Sequence, residues 1–302
     1  MNKWIGILLA VSLLASCSKE DDLTPSGARD EWFTLSPTDT AGSPLNALRY
    51  RFYEENNVHL MFNDTLRHEL RGTYADGSPY WYTEVIDFSY SMESTPGSYR
   101  WEYVTDFEEQ KKSAAFLEKY ILSHLGGVMS PYSVFLVKDL EERYGSGWRT
   151  IGFYSGMRCF VLNVSDVLEL ENEEEIAVWG NDFFYNMLNT KFTNMYYNGE
   201  EGAFAEFDSF SAEYYGAYLD EFEQWEEEDP TQEELYEIGL FEFFDGWGKY
   251  FPYANRDRRD YLQKIFYWEE EVPFEEYFAD YPVMVKKYEA LKKVIEDLGY
   301  KF

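Results

Sequence analysis

Histidine is nearly missing from this sequence. Its 302 residues include only His59, His68 and His124. A zinc site built from all three would have to draw them from separate segments. His68-Glu69-Leu70 opens like an HExxH motif, but Gly72 stands where the second imidazole belongs. Each histidine is therefore read as a surface group or a satisfied core side chain. Basic residues are also few, with 26 against 57 acids and a net charge of −31. Such a field repels nucleic acid and anionic membrane surfaces and excludes both as partners. The sequence has no glycine-rich phosphate loop, no G-x-S-x-G, and no histidine close to Cys159 along the chain. Long apolar runs are missing as well, apart from one at the start that is too short to span a bilayer.

That run organises the N-terminus. Lys3 supplies a positive charge, Trp4 to Leu14 an apolar core, and Leu14-Ala15-Ser16-Cys17 a small-residue cleavage site. The pattern is that of an export signal over residues 1–16. L-A-S-C resembles the lipobox of bacterial lipoproteins, which implies a lipid on Cys17 and anchorage in the outer membrane, where several acyl chains hold stably. Ser18-Lys19-Glu20-Asp21-Asp22 is similar to the acidic tag that directs some lipoproteins to the cell surface. With Cys17 lipidated, Cys159 has no partner for an intramolecular disulfide, and stability must come from burial. Residues 17–45, rich in Ser, Thr, Pro, Gly and Asp, are expected to be a flexible tether.

What the chain has in abundance is aromatic surface, 20% of residues, with 27 Tyr, 24 Phe and 9 Trp. That suffices for a globular core over residues 46–302 without covalent staples. The residues from 46 to about 56 predict a short helix turning at Asn56-Asn57 into an extended run. From there to about 105, breakers at Asp76-Gly77-Ser78-Pro79 and Thr95-Pro96-Gly97 predict short strands and loops. A helix is expected over 107–125, ended by Gly126-Gly127, then extended runs over 133–140 and 157–167. Helices follow over about 173–190, 204–227, 231–247, 256–270 and 281–298. Acid clusters at 169–175 and 220–229 are read as solvated helix ends. Strands and helices mixed to about residue 170, then helices from about 171, make an α+β pattern and not alternating βαβ units.

The stretch VWGNDFFYNMLNTKF, 178–192, is the most informative. Ile176, Trp179, Phe183 and Met187 recur at helical steps and predict a core-facing stripe. Asn181, Asp182 and Tyr185 stand where a metallopeptidase helix carries His, Glu and His. Two histidines four apart aim both imidazoles at one Zn²⁺, with the glutamate as general base on the bound water. An Asn amide is a weak neutral ligand, a Tyr phenol with a pKa near 10 stays protonated at neutral pH, and Asp182 is one methylene short.

Asn181 through Asn189 lies without a gap on the HEFxHxLHQ-like motif of the zinc-binding metallopeptidase lipoproteins, also called substrate import-associated zinc metallohydrolase lipoproteins. FYEENNVHLMF (52–62), KYILSHLGGVMSPYSVFLVKDL (119–140) and DGWGKYFPYANRDRRDYLQKIF (245–266) are similar to its flanking segments. The resemblance runs from about residue 45 to the C-terminus and implies a zincin-like α+β fold. It also implies work beside TonB-dependent outer-membrane transporters and their surface lipoproteins, on peptide or glycan. Active members hold zinc. In this chain the family's later acidic ligand falls on or next to Arg259, in Arg258-Arg259-Asp260, and a guanidinium there repels a cation. The expectation is a non-catalytic binding protein with no cofactor, its cleft lined by Asn181, Asp182, Tyr185 and Arg259. The alternatives are an active hydrolase with a different site, or a glycan-binding surface protein using Trp247. The tyrosines at 80, 82, 196, 197, 214 and 215 are read as core and rim.

Overall fold

A computed structural model describes residues 33, 35–86, 98–156, 159–246 and 248–302. Leu35–Phe302 forms one unit. The signal segment, Cys17, Thr95-Pro96-Gly97 and Trp247 lie outside the described residues.

Regular structure begins earlier than the expected tether boundary. A 3-10 turn covers Pro37–Thr40, and α1 spans Pro44–Asn56. Ser43 caps α1 by accepting the Asn46 N–H (3.2 Å), Pro44 supplies a preset φ, and Asn57 ends it in the left-handed region at φ 53°. The chain passes directly into β1, His59–Met61, all three residues buried.

A hairpin follows, β2 (Thr65–Thr73) against β3 (Pro79–Val85), turning at Asp76-Gly77-Ser78 as its residues require. It forms a sheet of its own. Strand β4 (Tyr99–Tyr103) leads to α2 (Phe107–Phe116), which loosens into a π-type turn over Leu117–Ile121 and a 3-10 turn over Leu122–His124. The helix expected over 107–125 is thus a relay of three geometries.

The main sheet is built on β5, Ser133–Tyr144. Its first half lies between two parallel partners, β1 and β8 (Phe160–Asn163), in the registers Leu60↔Val134 and Leu136↔Leu162. A strand covered on both faces should be continuously apolar, and residues 133–137 are all buried. Its second half pairs with β4 and with β6 (Gly147–Thr150) in antiparallel register. Asp139, at φ 49°, sits where the strand exchanges partners. Strand β7 (Phe153–Ser155) pairs antiparallel with β8 and is the last strand on that side.

Helices dominate the remainder: α3 (Ser165–Glu169), α4 (Glu173–Tyr197), α5 (Ala205–Ser209), α6 (Gln232–Glu237), α7 (Ala254–Phe266), α8 (Phe274–Tyr277) and α9 (Pro282–Asp297). A two-residue ribbon, β9 (Phe244–Asp245) with β10 (Lys249–Tyr250), precedes α7. One apolar core joins the sheet, α1, α2, α4, α7 and α9, from Phe52 to Tyr300. The chain is an α+β protein. A smaller apolar cluster, Leu219, Trp225, Leu235, Leu240 and Phe251, stands apart.

Two expected helices do not form at full length, and a glycine of positive φ lies within the span of each. Over 204–227 the structure has α5, which ends at Ser209, and then isolated 3-10 turns; between them Gly216 takes φ +70°, where a Cβ would lie 2.6 Å from the Tyr253 ring. The helix expected over 231–247 is only α6. Gly239 stops it at φ +79°, and a Cβ there would lie 2.7 Å from both Lys287 and Val283. The Gly239 carbonyl instead accepts hydrogen bonds from Lys287 Nζ (2.8 Å) and Tyr261 Oη (3.1 Å).

Lys287 belongs to a buried ion pair with Asp257, and both side chains are sealed from water. Lys287 also donates to Ser211 Oγ (2.8 Å), while the Tyr215 hydroxyl donates to Asp257 Oδ2 (2.6 Å). Removing one partner strands a buried charge. Lys287→Met is expected to cost about 3–5 kcal/mol, and the pair Lys287→Met with Asp257→Leu much less. Urea unfolding of the three proteins measures the difference.

Candidate functional site

Helix α4 carries three of the four residues expected to line a cleft. Asn172 caps it by accepting the Glu175 N–H (3.0 Å), and Glu173, Glu174 and Glu175 in the first turn complement its dipole. Phe183, Phe184, Met187, Leu188, Phe192 and Met195 are buried, with Ile176 and Trp179 packed half-buried against the same core. The expected stripe is present and extends a full two turns further along the helix.

On the flank of α4 that meets α7, the four residues do not converge. Asp182 is exposed and accepts a hydrogen bond from Tyr267 Oη (2.6 Å), just beyond the end of α7. Tyr185 packs edge-on against the same Tyr267 ring at 5.3 Å. Burial, and then the bond to Asp182, push the Tyr267 phenol above its ordinary pKa, so it remains a donor. Asn181 is exposed beside them.

Arg259 lies elsewhere. It shares a separate cavity of about 160 Å³ with Asn189 and Thr193. The eight residues from Arg259 to Tyr267 correspond to roughly 12 Å along a helix. The antiparallel run of α7 against α4 sets position 259 opposite 189–193, and the residues opposite 181–185 come from the far end of α7. The neighbour Arg258, where one residue of alignment slack would put the ligand, is buried. It is held by Asp208 (Nε to Oδ1, 2.9 Å) and Glu201 (3.2 Å) and lies over the Phe204 ring.

The histidines are also dispersed. His59 is buried and stacked on Tyr53 at 4.3 Å. His68 lies on the hairpin against Trp81, its Nδ1 2.7 Å from Thr83 Oγ1. His124 Nδ1 is 2.7 Å from the Lys301 carbonyl oxygen. Among the described residues no group of three or more His, Cys, Asp or Glu is placed to hold a metal ion.

A further concavity is on another side of α4. A cavity of about 330 Å³ lies between the helix and the sheet edge formed by β7 and β8. Met187, Lys191 and Asn194 form its helix wall, and Phe153, Ser155 and Phe160 its sheet wall. Tyr132 and Met129, from the loop before β5, close one end, and the buried Cys159 also contributes. Among the described residues β7 is the last strand of the sheet on this side. Lys191 has no carboxylate partner among the described residues. Sequence reasoning missed this cleft because a three-residue edge strand gives almost no periodic signal. The apolar-polar mixture at 187–194 was its only trace.

Asp260, third of the Arg258-Arg259-Asp260 triplet, shares Arg256 with Glu242. Burial pushes its carboxyl up to about 6, against the opposing pull of Arg256 (Nε to Oδ1, 3.0 Å), with Glu242 and Asp257 adding to the rise. A carboxyl raised in the folded state binds its proton more tightly than in the unfolded chain. Its contribution is therefore full below about pH 4 and is lost as pH rises through 6. Asp260→Asn removes that loss, so the variant should gain on the parent between about pH 4 and 7. Thermal midpoints across the range test the sign.

Comparison with family models, with curated proteins and with solved structures finds no match to this chain.

Proposed function

We propose that the chain is an exported lipoprotein, anchored through Cys17 in the outer membrane at the cell surface, that binds peptide or glycan as a non-catalytic accessory to import. Its fold in this reading is a zincin-like variant of the α+β class, related to the metallopeptidase lipoproteins that the sequence resembles. Its partner is a TonB-dependent transporter with its surface lipoprotein.

The observation that carries the binding half of the proposal is the cavity of about 330 Å³ between β7 and α4. Its size is at the lower end for small-ligand pockets, which combine apolar walls with a few placed polar groups. Phe153, Phe160 and Met187 supply apolar contact. Ser155, Asn194 and Lys191 supply hydrogen bonds and one positive charge. An edge strand on one wall suits an extended ligand that can use backbone donors and acceptors.

The non-catalytic half rests on chemistry. The positions that would grip a metal hold an amide, a carboxylate engaged by a phenol, and a phenol packed on its neighbour. None of these matches an imidazole as a neutral nitrogen ligand. The arginine that replaces the acidic ligand lies in a different cavity.

The mature chain with Cys17→Ser, which removes lipidation, serves for solution work. It is expected to bind members of a peptide or oligosaccharide library saturably, by fluorescence anisotropy, without cleaving them. Met187→Trp should fill the cleft and weaken binding roughly tenfold or more, the scale on which a lost well-packed anchor is felt. Cleavage of casein that is abolished by chelator would instead establish the active-hydrolase alternative. Labelled palmitate should enter the parent chain in cells and not the Cys17→Ser variant.

A further inference from the structure

The cavity that holds Arg259 has a composition of its own. It lies where the last turns of α4 meet the first turns of α7, about 160 Å³ in volume. Tyr196 and Tyr197 stand at its rim, their rings perpendicular at 5.4 Å, 47% and 79% exposed. Asn189, Thr193 and Asn255 add two carboxamides and a hydroxyl. Thr193 spends its proton on the Asn189 carbonyl (2.8 Å) and keeps its lone pairs.

The arginines of α7 divide cleanly. Arg256 is held by Glu242 and Asp260, and Arg258 by Asp208 and Glu201. Arg259 is exposed and has no carboxylate partner among the described residues. In a chain with 57 acids and 26 bases, a guanidinium facing a cavity without an acid is attraction left unused. Its planar fork fits a carboxylate through two parallel hydrogen bonds. The positive end of α7 adds to the same field over its first turn.

We infer that this cavity binds the carboxylate of an acidic sugar of the hexuronate class, with Arg259 as the anion clamp and Tyr197 as the stacking face. Its volume is well below that of pockets that enclose drug-sized ligands, so it takes one terminal unit and not a chain. Two carboxamides, each donor and acceptor, match adjacent ring hydroxyls. An aromatic face at the rim matches the C–H face of a pyranose. A peptide C-terminus offers a carboxylate but no array of hydroxyls for Asn189 and Asn255. The site is separate from the β7–α4 cleft and does not depend on what that cleft binds.

Isothermal titration of the full mature chain with Cys17→Ser tests the assignment, using glucuronate, galacturonate, glucose and a blocked tripeptide with a free C-terminus. At least one uronate should bind tenfold or more tightly than glucose and the tripeptide. Arg259→Gln should reduce that uronate to the level of glucose with the unfolding midpoint unchanged, and Tyr197→Ala should weaken it several-fold. Uronate binding no better than glucose, equal binding of the tripeptide, or an Arg259→Gln variant that still prefers the uronate would each overturn the site. Cleft binding is read with its own probes, so failure of one assignment leaves the other standing.

Discussion

The organising constraint is that α4 must bury aromatic bulk along one face while a second helix crosses beside it. Phe183 packs on Phe153 and Phe160 of the sheet edge, and Phe184 on His124 and Tyr300 near the C-terminus. Phe192 meets Phe204 in the turn that follows. Burying side chains of this size contributes roughly 1.5–3 kcal/mol each. Shifting α4 by one residue would rotate this face by about 100° and take these rings out of register with their partners. Everything else on the helix takes its position from that face.

The consequence is one helix with chemically different flanks. Toward β7 it presents Met187, Lys191 and Asn194 to the last strand of the sheet. Toward α7 it presents Asp182 and Tyr185 to Tyr267, and two turns later Asn189 and Thr193 to Arg259. A metal-binding helix concentrates its chemistry at one point. This one distributes polar groups over three small surfaces, an arrangement suited to holding a ligand by several modest contacts.

The buried Lys287–Asp257 pair ties the helical half together from inside. It joins α9 to α7 and, through Ser211 and the Gly239 carbonyl, to the irregular segments that replace two expected helices. A buried pair of this kind adds little net stability compared with apolar residues, but it penalises any packing that separates its members. Segments without regular hydrogen bonding, such as 210–217 and 238–243, need such a fixed point. The acidic partner came from the same arginine-rich helix that the sequence singled out, but from the residue just before the triplet it emphasised.

Local rules determined a good deal in advance. The Asn56-Asn57 turn, the buried strand at 133–137, the helices near 254–266 and 282–297, and the core stripe through Phe183 and Met187 all follow from periodicity and capping, which act within a few residues. The paucity of histidine and the excess of acid were equally plain. What fixes the loop after α6 was not, because the Gly239 carbonyl is held by Lys287, 48 residues away. Nor was the separation of Arg259 from Asp182. Helical periodicity says which face a residue occupies, but the offset between two packed helices is set by how their side chains interdigitate. That offset put Tyr267, rather than Arg259, against Asp182. It left an arginine in a cavity of its own.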